Sequence, residues 1–265
     1  MNSSSPVITI ATVTYNAAST LPPTLDSVAQ QDYPYIEHLI VDGYSTDDTL
    51  SLLHQYVERN TQAVTSHDIR VLCERDEGLY DAMNKAIQQA QGAYLVFLNA
   101  GDTLASPGTI SLLAAKSDWI KGDYSNPAIL YGQTDLVDAE RNFVRHRRLQ
   151  APEKLHWRQY IRGMLVCHQS FYVRTDLARE VPYDLHYRYS ADFDWCIRLL
   201  KLAEKRRLQI VNANEVLTHY LSEGLTTRHH RASLLERMRI MAHHFGWFRT
   251  LLAHAFFVLR ALFCK

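Results

Sequence analysis

Val7-Ile8-Thr9-Ile10-Ala11-Thr12-Val13, followed at once by the polar Thr14-Tyr15-Asn16, decides the fold. An uncharged, β-branched run of this kind is what a parallel sheet buries on both faces. Downstream the chain alternates helix and strand. Ser19 offers an N-cap, Pro22 and Pro23 are tolerated in a first helical turn, and Leu25, Val28 and Ala29 form an apolar stripe. Ile36-Glu37-His38-Leu39-Ile40-Val41 is the second strand and Asp42-Gly43-Tyr44-Ser45 its loop, after which Ser45 or Thr46 can cap a helix through Leu50, Leu53 and Val57. Ile69-Arg70-Val71-Leu72-Cys73 is the third strand. Leu79, Met83, Ala86, Ile87 and Ala90 then fall at helical spacing, with Gly92 as the stop. Ala93-Tyr94-Leu95-Val96-Phe97-Leu98 is the fourth strand and ends at Asn99-Ala100-Gly101-Asp102. Strands separated by single helices predict right-handed βαβ crossovers and a doubly wound, mostly parallel, Rossmann-like α/β sheet. Ligands of such sheets lie beyond the carboxyl ends of the strands, which directs attention to the four polar loops.

The second half is less regular. Residues 128–132, 134–137, 143–149 and 164–173 read as short strands, 192–203 as a helix and 208–211 as a further strand. From His229 onward the chain reads as helical and basic. No repeat or linker divides it, so one integrated domain with a C-terminal extension is expected.

Composition bounds the function. With 265 residues, 47% hydrophobic and 21% charged, the chain is neither disordered nor fibrous and is long enough for a substantial core. Lys+Arg and Asp+Glu both number 28, which argues against a general nucleic-acid partner. Basic charge is nonetheless uneven: seven Lys/Arg against Glu153 between Arg141 and Arg162, and seven against Glu236 from Arg228 to Lys265. An anionic partner is expected there. Cys73, Cys167, Cys196 and Cys264 are scattered and read as reduced thiols of a cytoplasmic protein, and the start Met1-Asn2-Ser3-Ser4-Ser5-Pro6 lacks the basic region of a signal peptide. Arg249 and Arg260 interrupt the apolar stretch Phe245–Cys264, so no spanning helix is predicted.

Neither G-x-G-x-x-G nor G-x-x-x-x-G-K-[ST] occurs, and the chain has only 10 glycines. If this sheet binds a nucleotide, its pyrophosphate must be neutralised by something other than a glycine-rich backbone cradle. A divalent cation is the usual substitute, and Mg²⁺ typically takes one or two protein carboxylates plus phosphate oxygens. Asp102, directly after a buried strand, is placed for that task.

Taken together the loops resemble family 2 glycosyltransferases of the GT-A fold. Val13-Thr14-Tyr15-Asn16 and Val41-Asp42-Gly43-Tyr44-Ser45-Thr46-Asp47-Asp48-Thr49 are similar to the family's first two signatures. Glu74-Arg75-Asp76-Glu77-Gly78 through Lys85, then Phe97-Leu98-Asn99-Ala100-Gly101-Asp102, continue the pattern in order. Cys167-His168-Gln169-Ser170 and Ser190-Ala191-Asp192-Phe193-Asp194-Trp195 resemble its acceptor-side segments. The likeness covers about residues 6–225 and is nearest to bacterial exopolysaccharide and O-antigen transferases.

That resemblance implies roles. Tyr15, Asn16, Asp42 and Asp76 match positions that hold the nucleotide of a nucleotide-sugar donor, most simply a UDP-sugar. Asp102 matches the last aspartate of the metal motif, for Mn²⁺ or Mg²⁺, and His219 is a further candidate ligand. Asp192 matches the catalytic base, and His168 and Gln169 lie where the acceptor pocket is expected. The departures are Gly101 and Gly43, each where an aspartate is frequent, and Ala191 where a glutamate would place a like charge beside Asp192. The implied layout is a GT-A catalytic domain over residues 1–225, with a nucleotide-binding half to about 105 and an acceptor-binding half to 225, then the basic extension 226–265. The implied reaction is inverting transfer to a lipid-linked, undecaprenyl-type saccharide in surface-polysaccharide assembly.

Two readings stay open for the C-terminal helix. Arg249 and Arg260, three turns apart, with Phe245, Phe248, Leu252, Phe256, Leu259 and Phe263, would suit a membrane interface. That would place the protein peripherally on the inner face of the cell membrane. The same residues would also suit packing on the catalytic domain or a second subunit. His229, His230, Arg231, Arg237 and Arg239 suit lipid phosphate or an acceptor pyrophosphate. Two rival functions are a carboxylate-pair glycoside hydrolase using Asp102 and Asp192, and an inactive saccharide-binding scaffold motivated by Gly101 and Ala191. Asp194 is expected to be an exposed first-turn acid.

Overall fold

The computed structural model describes residues 5–119, 123, 125–222 and 230–263, with only the backbone of residues 230 and 260–263. The boundary expected at 225, the expected anion ligand His229 and Cys264 therefore lie outside the described residues, as does the side chain of Arg260.

Four parallel strands, β1 (Ile8–Thr14), β2 (Ile36–Asp42), β3 (Asp68–Cys73) and β4 (Tyr94–Phe97), lie in the order β3-β2-β1-β4. Helices α1 (Leu21–Ala29), α2 (Thr49–Asn60) and α3 (Leu79–Gln89) make the crossovers. Every residue of β1 and β2 is buried, the polar Glu37 and His38 of β2 included. Local details differ from the expectation. Thr20 and Asp48 precede α1 and α2, in place of Ser19 and Ser45 or Thr46, because Ser45 is committed to Asp42. Ala90 ends α3, not Gly92. A Cβ on Gly92 would stand 2.6 Å from the Thr9 amide nitrogen, so this glycine admits close passage of the chain along β1.

Beyond β4 the sheet becomes mixed. β8 (Phe171–Arg174) is antiparallel to β4, and β6 (Ile129–Val137) is antiparallel to β8. β9 (Ile210–Leu221) runs parallel to β6; β5 (Thr103–Leu104) and β7 (Phe143–His146) flank β9 and β6 antiparallel. The two strands expected over 128–137 are one strand whose register shifts around Gln133. The strand expected over 164–173 begins only at Phe171, after a 3₁₀ turn at His168–Ser170. The strand expected at 208–211 is the start of the longer β9, whose Asn212, Asn214, Glu215 and His219 hide it from an apolar-run criterion.

Helices α4 (Thr109–Lys116), α5 (Thr175–Glu180), α6 (Ala191–Arg206), α7 (His230–Phe245) and α8 (Trp247–Phe263) complete the chain, with a 3₁₀ segment at Trp157–Arg162. Phe193, Trp195, Ile197, Leu199 and Leu200 of α6 enter the main core, and Ile240 and Met241 of α7 enter it with them. Thus α7 is built into the catalytic unit. By contrast α8 leaves Trp247, Phe248, Leu251, Leu252, Phe256, Val258 and Leu259 exposed. Among the described residues no helix is long and apolar enough to cross a membrane.

Candidate active site

The loops at the carboxyl ends of β1 and β2 are tied together by side chains. Asp42 ends β2 opposite Thr14 of β1 and is fully buried. Its Oδ2 accepts from Thr14 Oγ1 at 2.9 Å and Ser45 Oγ at 2.6 Å, and its Oδ1 accepts from the Ser45 amide at 2.8 Å. Asn16, with φ of 49°, accepts from the Thr46 amide at 2.8 Å and donates its own amide to Ser45 Oγ at 2.8 Å. These bonds brace the loop, since a buried carboxylate must have its acceptors satisfied. What the brace displays to solvent is Tyr15, 64% exposed, and Tyr44, 54% exposed. Asp76 sits over Gly43: a Cβ there would meet Asp76 Oδ2 at 2.4 Å, so the absent side chain at position 43 makes room for this carboxylate.

The second part of the site joins the two carboxylates that matter most to the sequence reading. Asp102, 4% exposed, follows β4; its Oδ1 accepts from the Leu221 amide of β9 at 3.0 Å and its Oδ2 from Gln169 Nε2 at 2.9 Å. Asp192 opens α6; its Oδ2 lies 3.2 Å from His168 Nδ1 and its Oδ1 accepts from the Tyr80 hydroxyl at 3.2 Å. His168 and Gln169 are consecutive on one 3₁₀ turn, so a single turn holds both acids. Asp102 and Asp192, 90 positions apart along the sequence, thus share one locale. Asn99 Nδ2 lies 3.3 Å from His168 Nε2, so the imidazole has a partner at each ring nitrogen.

The two acids are tuned in opposite directions. Burial lifts the Asp102 carboxyl to about 6, against the Leu221 and Gln169 amides and the charges of His168 and Arg141. Burial also acts to raise Asp192, but the His168 hydrogen bond and charge, with Arg237, outweigh it and hold that carboxyl below the usual range. Asp192 is therefore ionised at neutral pH and able to accept a proton. Asp102 carries a charge that its surroundings compensate poorly.

A hard dication suits that deficit. Asn99 Oδ1, three positions before Asp102, is buried without a hydrogen-bond partner, so a carboxylate and a neutral oxygen of the kind Mg²⁺ or Mn²⁺ accepts occur in one short loop. His219 does not join them in a larger set. It lies between Thr103 and Asp135 in the sheet, and among the described residues no group of three or more His, Cys, Asp or Glu could hold a metal.

Tyr80 and Asn99 were quoted in the motifs without a role, and their contacts require the tertiary structure. Asp194 departs from the expected exposed acid: it is 3% exposed, 2.7 Å from His244 Nε2 and 2.5 Å from Arg198 Nε. Cavities of about 490 and 430 Å³ lie away from both acids, the first beside Tyr33 and Trp119, the second between Ile161 and α8.

Comparison with known proteins identifies the family and the fold. The model of glycosyl transferase family 2 matches residues 9–180. A PGL/p-HBAD biosynthesis glycosyltransferase of Mycobacterium tuberculosis is 32% identical over 194 residues, 73% of this chain and 69% of that protein. A putative teichuronic acid biosynthesis glycosyltransferase of Bacillus subtilis, TuaG, is 36% identical over 97 residues, 37% of this chain and 36% of its own. Among solved structures, S. aureus TarS 1-349 in complex with UDP-GlcNAc superposes with a TM-score of 0.65 at 21% identity, over 89% of this chain and 65% of that one. The chain thus spans just under two thirds of that fragment. The mannosyltransferase PcManGT from Pyrobaculum calidifontis, in complex with GDP-Man and Mn2+, gives 0.61 at 17% identity, over 97% and 76%. The fold is that of the GT-A glycosyltransferases, and the chain belongs to glycosyl transferase family 2.

Proposed function

We propose that this glycosyltransferase moves a sugar, with inversion, from a nucleotide donor to a saccharide acceptor carried on an undecaprenyl-type lipid, in assembly of a bacterial surface polysaccharide. The observation that carries this reading is the turn His168–Gln169, which brings Asp102 and Asp192 to one place. Relatives named for PGL and teichuronic acid synthesis support the polysaccharide context, and neighbours solved with UDP-GlcNAc or with GDP-Man and Mn2+ support a nucleotide sugar and a metal.

In this mechanism the acceptor hydroxyl attacks the anomeric carbon as the bond to the diphosphate oxygen breaks. Asp192 takes the hydroxyl proton, with His168 and Tyr80 holding its two oxygens in place. Attack from the face opposite the leaving group gives inversion. Asp102, with Asn99, would hold Mn²⁺ or Mg²⁺, which when bound neutralises charge on the leaving diphosphate. Tyr15, Tyr44 and Asp76 would border the nucleotide, while Asp42 and Asn16 fix the loop beneath it. His219 would lie beside this site as an additional contact to donor or metal.

The exposed apolar face of α8, with Arg249 exposed, would rest in the lipid interface and present the lipid-linked acceptor at the inner face of the membrane. The test is a transfer assay with purified protein, Mn²⁺, a panel of nucleotide sugars and a lipid-diphosphate saccharide, reading the anomeric configuration of the product by NMR. Release of nucleoside diphosphate with an inverted new linkage is expected. Retention of configuration would overturn the base role of Asp192, and cosedimentation equal for vesicles and buffer would overturn the membrane contact.

A further inference from the structure

The turn between β6 and β7 carries a guanidinium for which the protein provides little. Arg141, partly buried, donates from Nη1 to the carbonyl oxygen of Gly101, the residue before Asp102. Its Nε is buried with no hydrogen-bond partner, and among the described residues no carboxylate lies within 4.0 Å of it. Its charge is felt by Asp102 and by His219, so it stands at the metal-binding end of the site. The backbone at Arg141 is also left-handed, with φ of 70°, in a turn where glycine or asparagine would fit without strain.

Position 101 explains why a cation is useful here. Gly101 has φ of 102°, and a Cβ on it would come within 3.1 Å of Leu221 Cδ2. This backbone cannot readily carry an acidic side chain at 101. A divalent cation here would therefore be held by one protein carboxylate instead of two, and held more weakly. An arginine with unspent, fork-shaped donors is the group that matches phosphate oxygens.

We propose that Arg141 binds the diphosphate of the nucleotide donor, beside Asp102, and stabilises it as a leaving group together with, and partly in place of, the divalent cation. The inference rests on the nucleotide-sugar reading above. It makes diphosphate binding in part independent of metal, which the carboxylates alone would not allow.

The experiment is calorimetric titration of the full chain with UDP, GDP and dTDP, each against its monophosphate, in EDTA and in Mn²⁺. The native protein should bind one diphosphate more tightly than its monophosphate even in EDTA. Arg141→Gln should lose about tenfold in diphosphate affinity in EDTA and less in Mn²⁺, with monophosphate affinity held within about twofold. Arg141→Lys, which retains a charge but not the fork, should lie between, and it decides the matter if the Gln variant does not fold. Asp102→Asn should abolish the response to Mn²⁺ while keeping the tight binding in EDTA that Arg141 supplies. Unchanged diphosphate affinity in the Arg141 variants, or equal losses for mono- and diphosphate, would overturn the role of Arg141 and leave the glycosyltransferase reading intact. A native chain that binds no nucleotide under either condition would overturn both.

Discussion

Beyond the turn His168–Gln169 that they share, the two ends of the site are held by different parts of the chain. Asp102 is fixed from within the sheet, by the amide of Leu221 on β9 and by Gln169. Asp192 is fixed from outside it. Glu236 of α7 accepts from the backbone amides of Arg188, Tyr189 and Ser190 at 2.8, 2.7 and 3.0 Å, just ahead of α6. Ser190 Oγ lies 2.9 Å from Ser233 Oγ, and His244 reaches Asp194. The anion at the start of α6 also meets the positive end of that helix. The comparison teaches that the C-terminal region is no appendage: α7 braces the loop that precedes the candidate base, whereas among the described residues Asp102 is held without it.

The sharpest way to break this contrast is at the acids themselves. Asp192→Asn should lower kcat about a thousandfold while nucleotide affinity stays within about twofold, since only the proton acceptor is lost. A kcat that survives within tenfold would place the base elsewhere. Next in size is Glu236→Ala, which strips three backbone amides of a charged acceptor. Urea unfolding should show a loss of about 3 kcal/mol, and kcat should fall with diphosphate affinity unchanged. Equal damage to nucleotide binding would show that the two ends are not held independently.

A smaller effect comes from the link between the ends. His168 opposes the effect of burial on Asp192, so His168→Ala leaves burial to dominate and the carboxyl shifts upward. The base is then protonated at higher pH, and the acidic limb of the kcat–pH profile should move to higher pH. An unmoved limb would mean that His168 does not set the base.

How much of this was legible in the sequence follows the same division. The four parallel strands and their loops were readable because β1 and β4 are uncharged and buried along their whole length, and β2 carries the buried run Leu39-Ile40-Val41 after Glu37 and His38. So were Asp102 and Asp192 as candidates, through motifs with ordered spacing. Less legible was β9, whose residues alternate between sheet faces and include polar side chains at half-buried positions. Least legible were partners fixed only by tertiary contact. Asp194 reads as an exposed helical acid until His244, fifty residues on, is brought against it. Arg141 sits in a turn with no motif, and the bonds of Thr14 and Ser45 to Asp42 show only in the folded chain.

That last point gives the smallest test and refines the donor end. If Asp42 braces the loop, each of its bonds should be worth an ordinary buried hydrogen bond. Thr14→Val keeps the shape of the side chain and its β-branched fit in β1, but removes the hydroxyl that donates to Oδ2 at 2.9 Å. Ser45 still donates to both carboxylate oxygens, so the charge is not stranded. Urea unfolding should therefore show a loss of only about 1 kcal/mol, and nucleotide affinity should fall by no more than about threefold as the loop under Tyr15 and Tyr44 loosens. Loss of all nucleotide binding from this one hydroxyl would mean that the Thr14–Asp42 pair touches the donor itself, and the division between a braced floor and an exposed aromatic rim would have to be redrawn.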